Sequence, residues 1–282
     1  MTRRTLWAAL LALLLVPSLF AGGWNKSLAG AKKAASRENQ LIFVDLFADW
    51  CGWCHKMEQE VFPSEAFQKA TDDMVLLRLN TEDGADGTKL ARDYEVNSLP
   101  TFLVLSPDLM VAGVIRGYAP SEEFVKSLKR VEADYDKFQA RLKAEPKWAR
   151  REYQKRFDLA QELTGRRGFT QSESRLRKLL ADDGLPADLR DKSLYELAVT
   201  QMFQKKYDDS LATIKRLGIL QKKGDALERS RLLAGQIYIQ KGNLTAALNE
   251  YKTFKTTFPN SPLVQNVDMI LPRLEIEASK AH

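Results

Sequence analysis

The sequence predicts an α/β unit followed by an all-α unit of repeated helix pairs. Three observations carry this. An apolar run, Leu41 to Phe47, leads directly into Cys51-Gly52-Trp53-Cys54. Beyond residue 149, small and large residues recur at matching places about 37 residues apart. The charge also changes sign: residues 22–137 carry 14 Lys and Arg against 19 Asp and Glu, whereas 138–282 carry 27 against 18. The 282 residues suit two domains at the usual ~100–200 residues each.

The elements follow in order. Arg3 and Arg4 precede an apolar stretch from Leu6 to Val16, then Pro17-Ser18 and the small residues Ala21-Gly22-Gly23. This is the pattern of an export signal over residues 1–21. The stretch is shorter than the ~20 residues a bilayer span needs. Thr2 to Trp7 matches a twin-arginine signal only in part. The competing reading, a buried N-terminal helix, suffers from the lack of a polar face. The signal makes the expected location outside the cytosol, in the periplasm, and since no later segment is apolar enough to span a membrane, no transmembrane segment is expected after signal removal.

A helix is expected over Ser27–Arg37. The strand Leu41–Phe47 is bulky, β-branched at Ile42 and Val44, and almost uninterrupted, as a strand buried on both faces should be. Residues Gly52 through Glu60 have helical spacing, and Ser64 is placed to cap a short helix. Met74–Leu79 reads as a second strand and Thr88–Tyr94 as a helix. Phe102–Leu105 and Val111–Ile115 read as a hairpin turning at Ser106-Pro107-Asp108. Ser121 can cap a helix to about Tyr135. This order implies a central sheet with helices on both faces.

Both cysteines of the chain lie in Cys51-Gly52-Trp53-Cys54. Outside the cytosol two cysteines ordinarily suggest a structural disulfide. A two-residue gap closes only a tiny loop and would stabilise little, so a redox-active dithiol explains the placement between strand and helix better. Cys51, at a helix N-terminus where free backbone N–H groups favour a thiolate, is the expected nucleophile. Cys54, one turn on, is the expected resolving thiol. Asp45 is a carboxylate inside an apolar strand; buried, its pKa should rise. At a strand edge it would instead face solvent. Trp50 and Trp53 flank the nucleophile, either to grip a partner chain or to pack against their own helices.

Taken together, Val44-Asp45-Leu46-Phe47-Ala48-Asp49-Trp50-Cys51-Gly52-Trp53-Cys54 and Ser98-Leu99-Pro100-Thr101-Phe102, with Pro100 lying 46 residues beyond Cys54, resemble the thioredoxin superfamily over about Asn25 to Tyr135. The continuation His55-Lys56-Met57-Glu58-Gln59-Glu60-Val61-Phe62 is more similar to exported thioredoxin-like domains, including the electron-delivering C-terminal domain of the DsbD family. The resemblance implies a thioredoxin-like fold and a proton acceptor or donor role for Asp45 beneath Cys54. It also implies a cis bond between Leu99 and Pro100, and a loop at Leu99, Pro100 and Thr101 that presents backbone groups to a peptide substrate. An ordinary trans proline at the strand entry is the alternative there. The sequence departs from thioredoxin at Trp53 (usually proline), His55 (usually lysine), Phe47 (often tryptophan) and Arg78 (often lysine). The dipeptide between the cysteines helps set the potential, so the direction of electron flow stays open.

Cys51-Gly52-Trp53-Cys54-His55 also spells the attachment motif for a c-type haem, with His55 as axial ligand. The preceding strand and the distant X-Pro-Thr element are not needed for haem and favour the dithiol. No cofactor beyond the cysteine pair is expected, and no metal site, since two cysteines, His55 and His282 are the only soft ligands.

In the second half, Leu232 to Tyr238, Gly242-Asn243-Leu244, Ala247-Leu248, Tyr251, Phe254 and Phe258-Pro259 resemble a tetratricopeptide repeat. Ala198, Tyr207, Leu211 and Ile214 repeat the pattern 37 residues upstream, and Ala160, Phe169 and Leu176 a further 38 upstream. The expected architecture is therefore a thioredoxin-like domain over 25–137, a helical linker over 138–148, and a tetratricopeptide-like domain over 149–282 whose last helix, Pro262–Ala278, is a cap with a kink at Pro272. Such a stack offers a face for a protein or peptide partner, or serves as a spacer or dimerisation element. The basic second half reads as a solvated helical surface; no basic–aromatic interleaving suggests nucleic acid. The functional expectation is an exported thiol–disulfide oxidoreductase that reduces or exchanges disulfides of client proteins and draws on an upstream thiol electron donor. The alternative is an assembly scaffold in which the repeats do the main work and the first domain is a binding module.

Overall fold

The computed structural model describes residues 23–220 and 224–280. The expected export signal lies outside the described residues. The chain divides into two compact units. One holds the residues up to 107 with 114–126; the other holds 108–113 and the residues from 127 onward.

The first unit is organised by β1 (Ile42–Phe47), the apolar run of the sequence. It lies between β2 (Val75–Asn80), which pairs with it in parallel, and β3 (Thr101–Leu105), which pairs antiparallel. With β4 (Val111–Arg116) the strand order is β2-β1-β3-β4. A strand with partners on both sides has no solvated edge, and every residue of β1 from Ile42 to Leu46 is buried. The register sets Asp45 opposite Arg78 of β2 on one side and Phe102 of β3 on the other. Phe43, Phe67, Phe102 and Phe124 pack ring against ring beside this sheet, with centroids 4.8–6.1 Å apart. Those separations suit aromatic pairs.

Helix α1 (Leu28–Glu38) starts where Ser27 accepts a hydrogen bond from the Gly30 N–H, and it ends at Asn39 in the left-handed region, φ 54°. Helix α2 (Gly52–Lys56) is shorter than its sequence pattern suggests. At Met57–Val61 it continues as a π-helical turn, a local widening often found near functional sites. Ser64 caps α3 (Glu65–Ala70), as its position suggests, accepting from the Phe67 N–H. Helix α4 covers Asp86–Asp93. Helix α5 is one continuous element, Ser121–Ala144, so the anticipated helical extension beyond Tyr135 belongs to it.

The second unit contains α6 (Tyr153–Gly165) and α7 (Phe169–Leu180), α8 (Ala187–Phe203) and α9 (Tyr207–Leu220), α10 (Asp225–Gln240) and α11 (Leu244–Thr257), then α12 (Val264–Lys280), which runs through Pro272. The three pairs keep the phase read from the sequence. A small residue on the first helix accompanies a large one on the second: Ala160 with Leu176, Ala198 with Ile214, Gly235 with Tyr251, all buried. A Cβ on Gly235 would meet the Tyr251 ring at 2.5 Å, closer than atoms pack, so only glycine fits. In the first two pairs a buried serine ties the helices together, Ser172 Oγ donating to the Ala160 carbonyl at 2.7 Å and Ser210 Oγ to the Ala198 carbonyl at 2.6 Å.

Candidate redox site

Cys51 and Cys54 are joined as a disulfide, with Cα atoms 5.2 Å apart. Cys51 is the N-cap of α2, with extended backbone, and its sulfur accepts a hydrogen bond from the Cys54 N–H at 3.2 Å. A donor aimed at that sulfur and the start of a helix both favour negative charge there. The pair is buried with Ala48, against Phe47 and Leu99. Of the two sulfur-bearing residues Cys51 is the less enclosed, though narrowly, at 4% against 1% exposure.

Leu99–Pro100 is a cis peptide bond, the isomer the resemblance implies. Thr101 is buried, its hydroxyl donating to the Ser98 carbonyl at 2.7 Å. The Pro100 carbonyl accepts from the Gly117 N–H at 2.9 Å, which ties the loop after β4 to the proline loop.

Asp45 is buried, at 1% exposure, so the solvent-facing alternative does not hold. Arg78 Nε lies 3.0 Å from its Oδ2 as an ion pair, but without the alignment of a hydrogen bond: neither carboxylate oxygen has a hydrogen-bond partner among the described residues. The rest of the guanidinium is turned to Glu58, which it grips with both terminal nitrogens at 2.5 and 3.0 Å. Burial pushes the Asp45 carboxyl up to about 7, against the opposing pull of Arg78 and with help from the negative charge of Glu58. The Arg78 hydrogen bonds hold Glu58 below the usual glutamate range.

Trp50 and Trp53 are 70% and 58% exposed, which decides against packing as their main role. Each is nevertheless held. Trp50 Nε1 donates to Glu82 Oε1 at 2.8 Å. Trp53 stacks on Tyr118, centroids 5.3 Å apart at 29°, and Lys56 Nζ lies 5.5 Å from the Trp53 ring centre and 4.7 Å from that of Tyr118. The His55 ring lies with Nε2 2.9 Å from the Asp49 carbonyl oxygen.

The structure thus gathers Cys51, Cys54 and Leu99 into one packed group and puts Asp45 on the strand leading to it. Sequence reasoning missed Glu58, Tyr118, Glu82 and Lys56. Glu58 left a usable trace, since it falls one helical turn beyond Cys54. Tyr118 sits in a loop with no periodicity and left none. Among the described residues no group of three or more His, Cys, Asp or Glu is placed to hold a metal ion.

A four-stranded mixed sheet carrying a helix-capping cysteine pair opposite a cis-proline loop defines a thioredoxin-like domain. Residues 28–132 match the family model described as a thioredoxin-like domain. Among curated proteins the chain is 40% identical over 82 residues to the thiol:disulfide interchange protein DsbD of Pseudomonas fluorescens, covering 29% of this chain and 14% of that protein. It is 31% identical over 102 residues to the DsbD of Ralstonia nicotianae, covering 36% of this chain and 17% of that protein. Among solved structures it is similar to a putative disulphide-isomerase from Bacteroides thetaiotaomicron, 30% identical with a TM-score of 0.35, over 38% of this chain and 90% of that one. The chain therefore spans less than a fifth of the length of these two DsbD relatives.

Proposed function

We propose that the chain is an exported thiol–disulfide oxidoreductase that reduces or exchanges client disulfides through Cys51 and Cys54. The observation that carries this reading is the cysteine pair at the N-terminus of α2, directly after a strand that carries the buried Asp45. In the reductive direction the Cys51 thiolate attacks a client disulfide. A bond forms between Cys51 and one client sulfur, and the other client sulfur leaves as a thiolate and takes up a proton. Cys54 then gives up its proton and attacks Cys51 Sγ. This closes the Cys51–Cys54 disulfide and releases the second client thiol, so two electrons have passed to the client. Asp45, poised near neutrality, serves as acceptor for the Cys54 proton. An upstream thiol donor restores the dithiol. The name of the DsbD relatives, thiol:disulfide interchange protein, supports the same chemistry.

The second unit acts as a tetratricopeptide-type stack over 149–282 that binds a protein or peptide partner; its three in-phase helix pairs support this. The domains run 25–137 and 149–282 with a helical linker over 138–148. Export to the periplasm rests on the leader over 1–21, and no helix among the described residues is long and apolar enough to cross a membrane. The dithiol is preferred to haem attachment because the pair follows a strand with partners on both sides and packs against Leu99 of the cis-proline loop, neither of which haem attachment needs.

The test is a redox titration against glutathione with insulin reduction alongside, on wild type, Cys51→Ser and Cys54→Ser. Wild type should titrate as a two-electron couple and reduce insulin, Cys51→Ser should lose all turnover, and Cys54→Ser should accumulate a mixed disulfide. A partner complex and phenotype that survive Cys51→Ser unchanged would favour the scaffold reading instead.

A further inference from the structure

Three segments converge beside the cysteine pair: the first turn of α2, the proline loop, and the loop that follows β4. The last of these carries Tyr118, and the chain fixes it from both ends. Gly117 takes φ 79°, a left-handed conformation that favours glycine, and its N–H donates to the Pro100 carbonyl. The Tyr118 hydroxyl donates to Glu60 Oε2 at 2.6 Å. Between these anchors the phenol ring lies stacked on Trp53, with the Lys56 ammonium near both rings. Trp53 stands between the two cysteines in sequence and more than half of it is exposed, so its ring is open to a chain that brings a sulfur to Cys51.

We propose that Tyr118 is a specificity-determining positioning residue: it holds Trp53 as a fixed aromatic wall beside Cys51, against which an extended, disulfide-bearing client segment lays an apolar side chain next to its half-cystine. This rests on the oxidoreductase reading above. The wall is large and apolar, yet more than half of Trp53 is exposed; burying such a ring is the kind of contact that dominates interface energetics. Stack, ammonium and hydrogen bond fix the rotamers beforehand, so binding a client does not carry the entropic cost of ordering them. Lys56 already occupies the cation-attracting rings, so a basic residue at this position meets repulsion and an apolar or aromatic one does not.

The experiment uses the reduced full chain and three synthetic peptide disulfides that differ only in the residue preceding the half-cystine: Leu, Ser or Lys. The wild type should favour the leucine peptide over the serine peptide by about tenfold in kcat/KM, mainly through KM, and disfavour the lysine peptide. Tyr118→Ala should bring the leucine-to-serine ratio to within about twofold, whereas Tyr118→Phe, which keeps the stack and loses only the hydroxyl, should retain most of it. Lys56→Glu should raise the lysine peptide relative to leucine. Each variant's glutathione equilibrium and circular dichroism report whether its site and fold persist. A ratio preserved in Tyr118→Ala, an equal loss in Tyr118→Phe, or a wild type that reduces all three peptides alike overturns this inference and leaves the oxidoreductase reading standing. A wild type that reduces none of them overturns both.

Discussion

Asp45 and Glu173 are both carboxylates sunk into their units, and their surroundings treat them oppositely. Asp45, in the sheet unit, faces one guanidinium whose terminal nitrogens are committed to Glu58; burial dominates and its pKa rises to about 7. Glu173, in the helical unit, is buried less deeply, at 8% exposure against 1%, and burial pushes it upward too. It accepts from Arg177, from Gln204 at 2.8 Å and from Lys206 at 2.7 Å, and these outweigh burial and hold its carboxyl down to about 2. Glu173 sits on α7 and its partners Gln204 and Lys206 follow α8, so it fastens one helix pair to the next. The difference teaches how to tell a fastener from a working group. A carboxylate given three donors is held in its ionised form, whereas one that burial pushes up on the strand before a cysteine pair suits the proton-transfer role proposed for it.

The sharpest way to break the comparison is Asp45→Asn. Without the acceptor, release of the mixed disulfide by Cys54 should slow roughly tenfold or more at pH 7, read by single-turnover kinetics with a trapped client. Stability should move the other way. Between about 4 and about 7 the folded protein holds a proton on Asp45 that the unfolded chain has lost, so this group's contribution to stability is present below pH 4 and is lost as pH rises through 7. Asp45→Asn should therefore gain up to about 4 kcal/mol over wild type in urea unfolding at pH 8 and almost nothing at pH 4. Slow release without that pH-dependent gain would mean that Asp45 acts by another route.

Glu173→Gln sharpens the other half. Its folded pKa is depressed, so its stabilisation is present above about 4.5 and disappears as pH falls towards about 2. The substitution should cost about 1–3 kcal/mol at pH 7 and leave reduction of small disulfides as it was. A loss of redox activity in this variant would erase the distinction drawn between the two carboxylates.

Much of this arrangement was legible before the structure. The almost uninterrupted apolar character of Ile42 to Leu46 announced a strand with neighbours on both sides, and the aspartate within it announced a buried acid. The 37- and 38-residue spacing of Ala160, Ala198 and Gly235 fixed the phase of the helix pairs. What stayed hidden is non-local. Arg78 reads as a lone cation in β2 until the strand register sets it across from Asp45, and only the path of the chain after α2 brings Glu58 to the same guanidinium. Tyr118 reaches Trp53 because Gly117 turns the backbone towards the Pro100 carbonyl, a contact that no periodicity encodes. Residues 108–113 fall with the helical unit because Arg166 donates to the carbonyls of Val111 and Ala112, at 3.2 and 2.9 Å, and its own carbonyl accepts from the Val111 N–H. No local pattern in the hairpin foretells that.

The account depends above all on a Cys51 sulfur that is ionised and within reach once the disulfide is opened. Alkylation of the reduced protein with iodoacetamide across pH 5 to 10, with the modified cysteine identified by mass spectrometry, tests this directly. Modification should fall on Cys51 before Cys54, with an apparent pKa below the ~8.5 of a free cysteine. A Cys51 that reacts no faster than a free cysteine, or a Cys54 modified first, would contradict it.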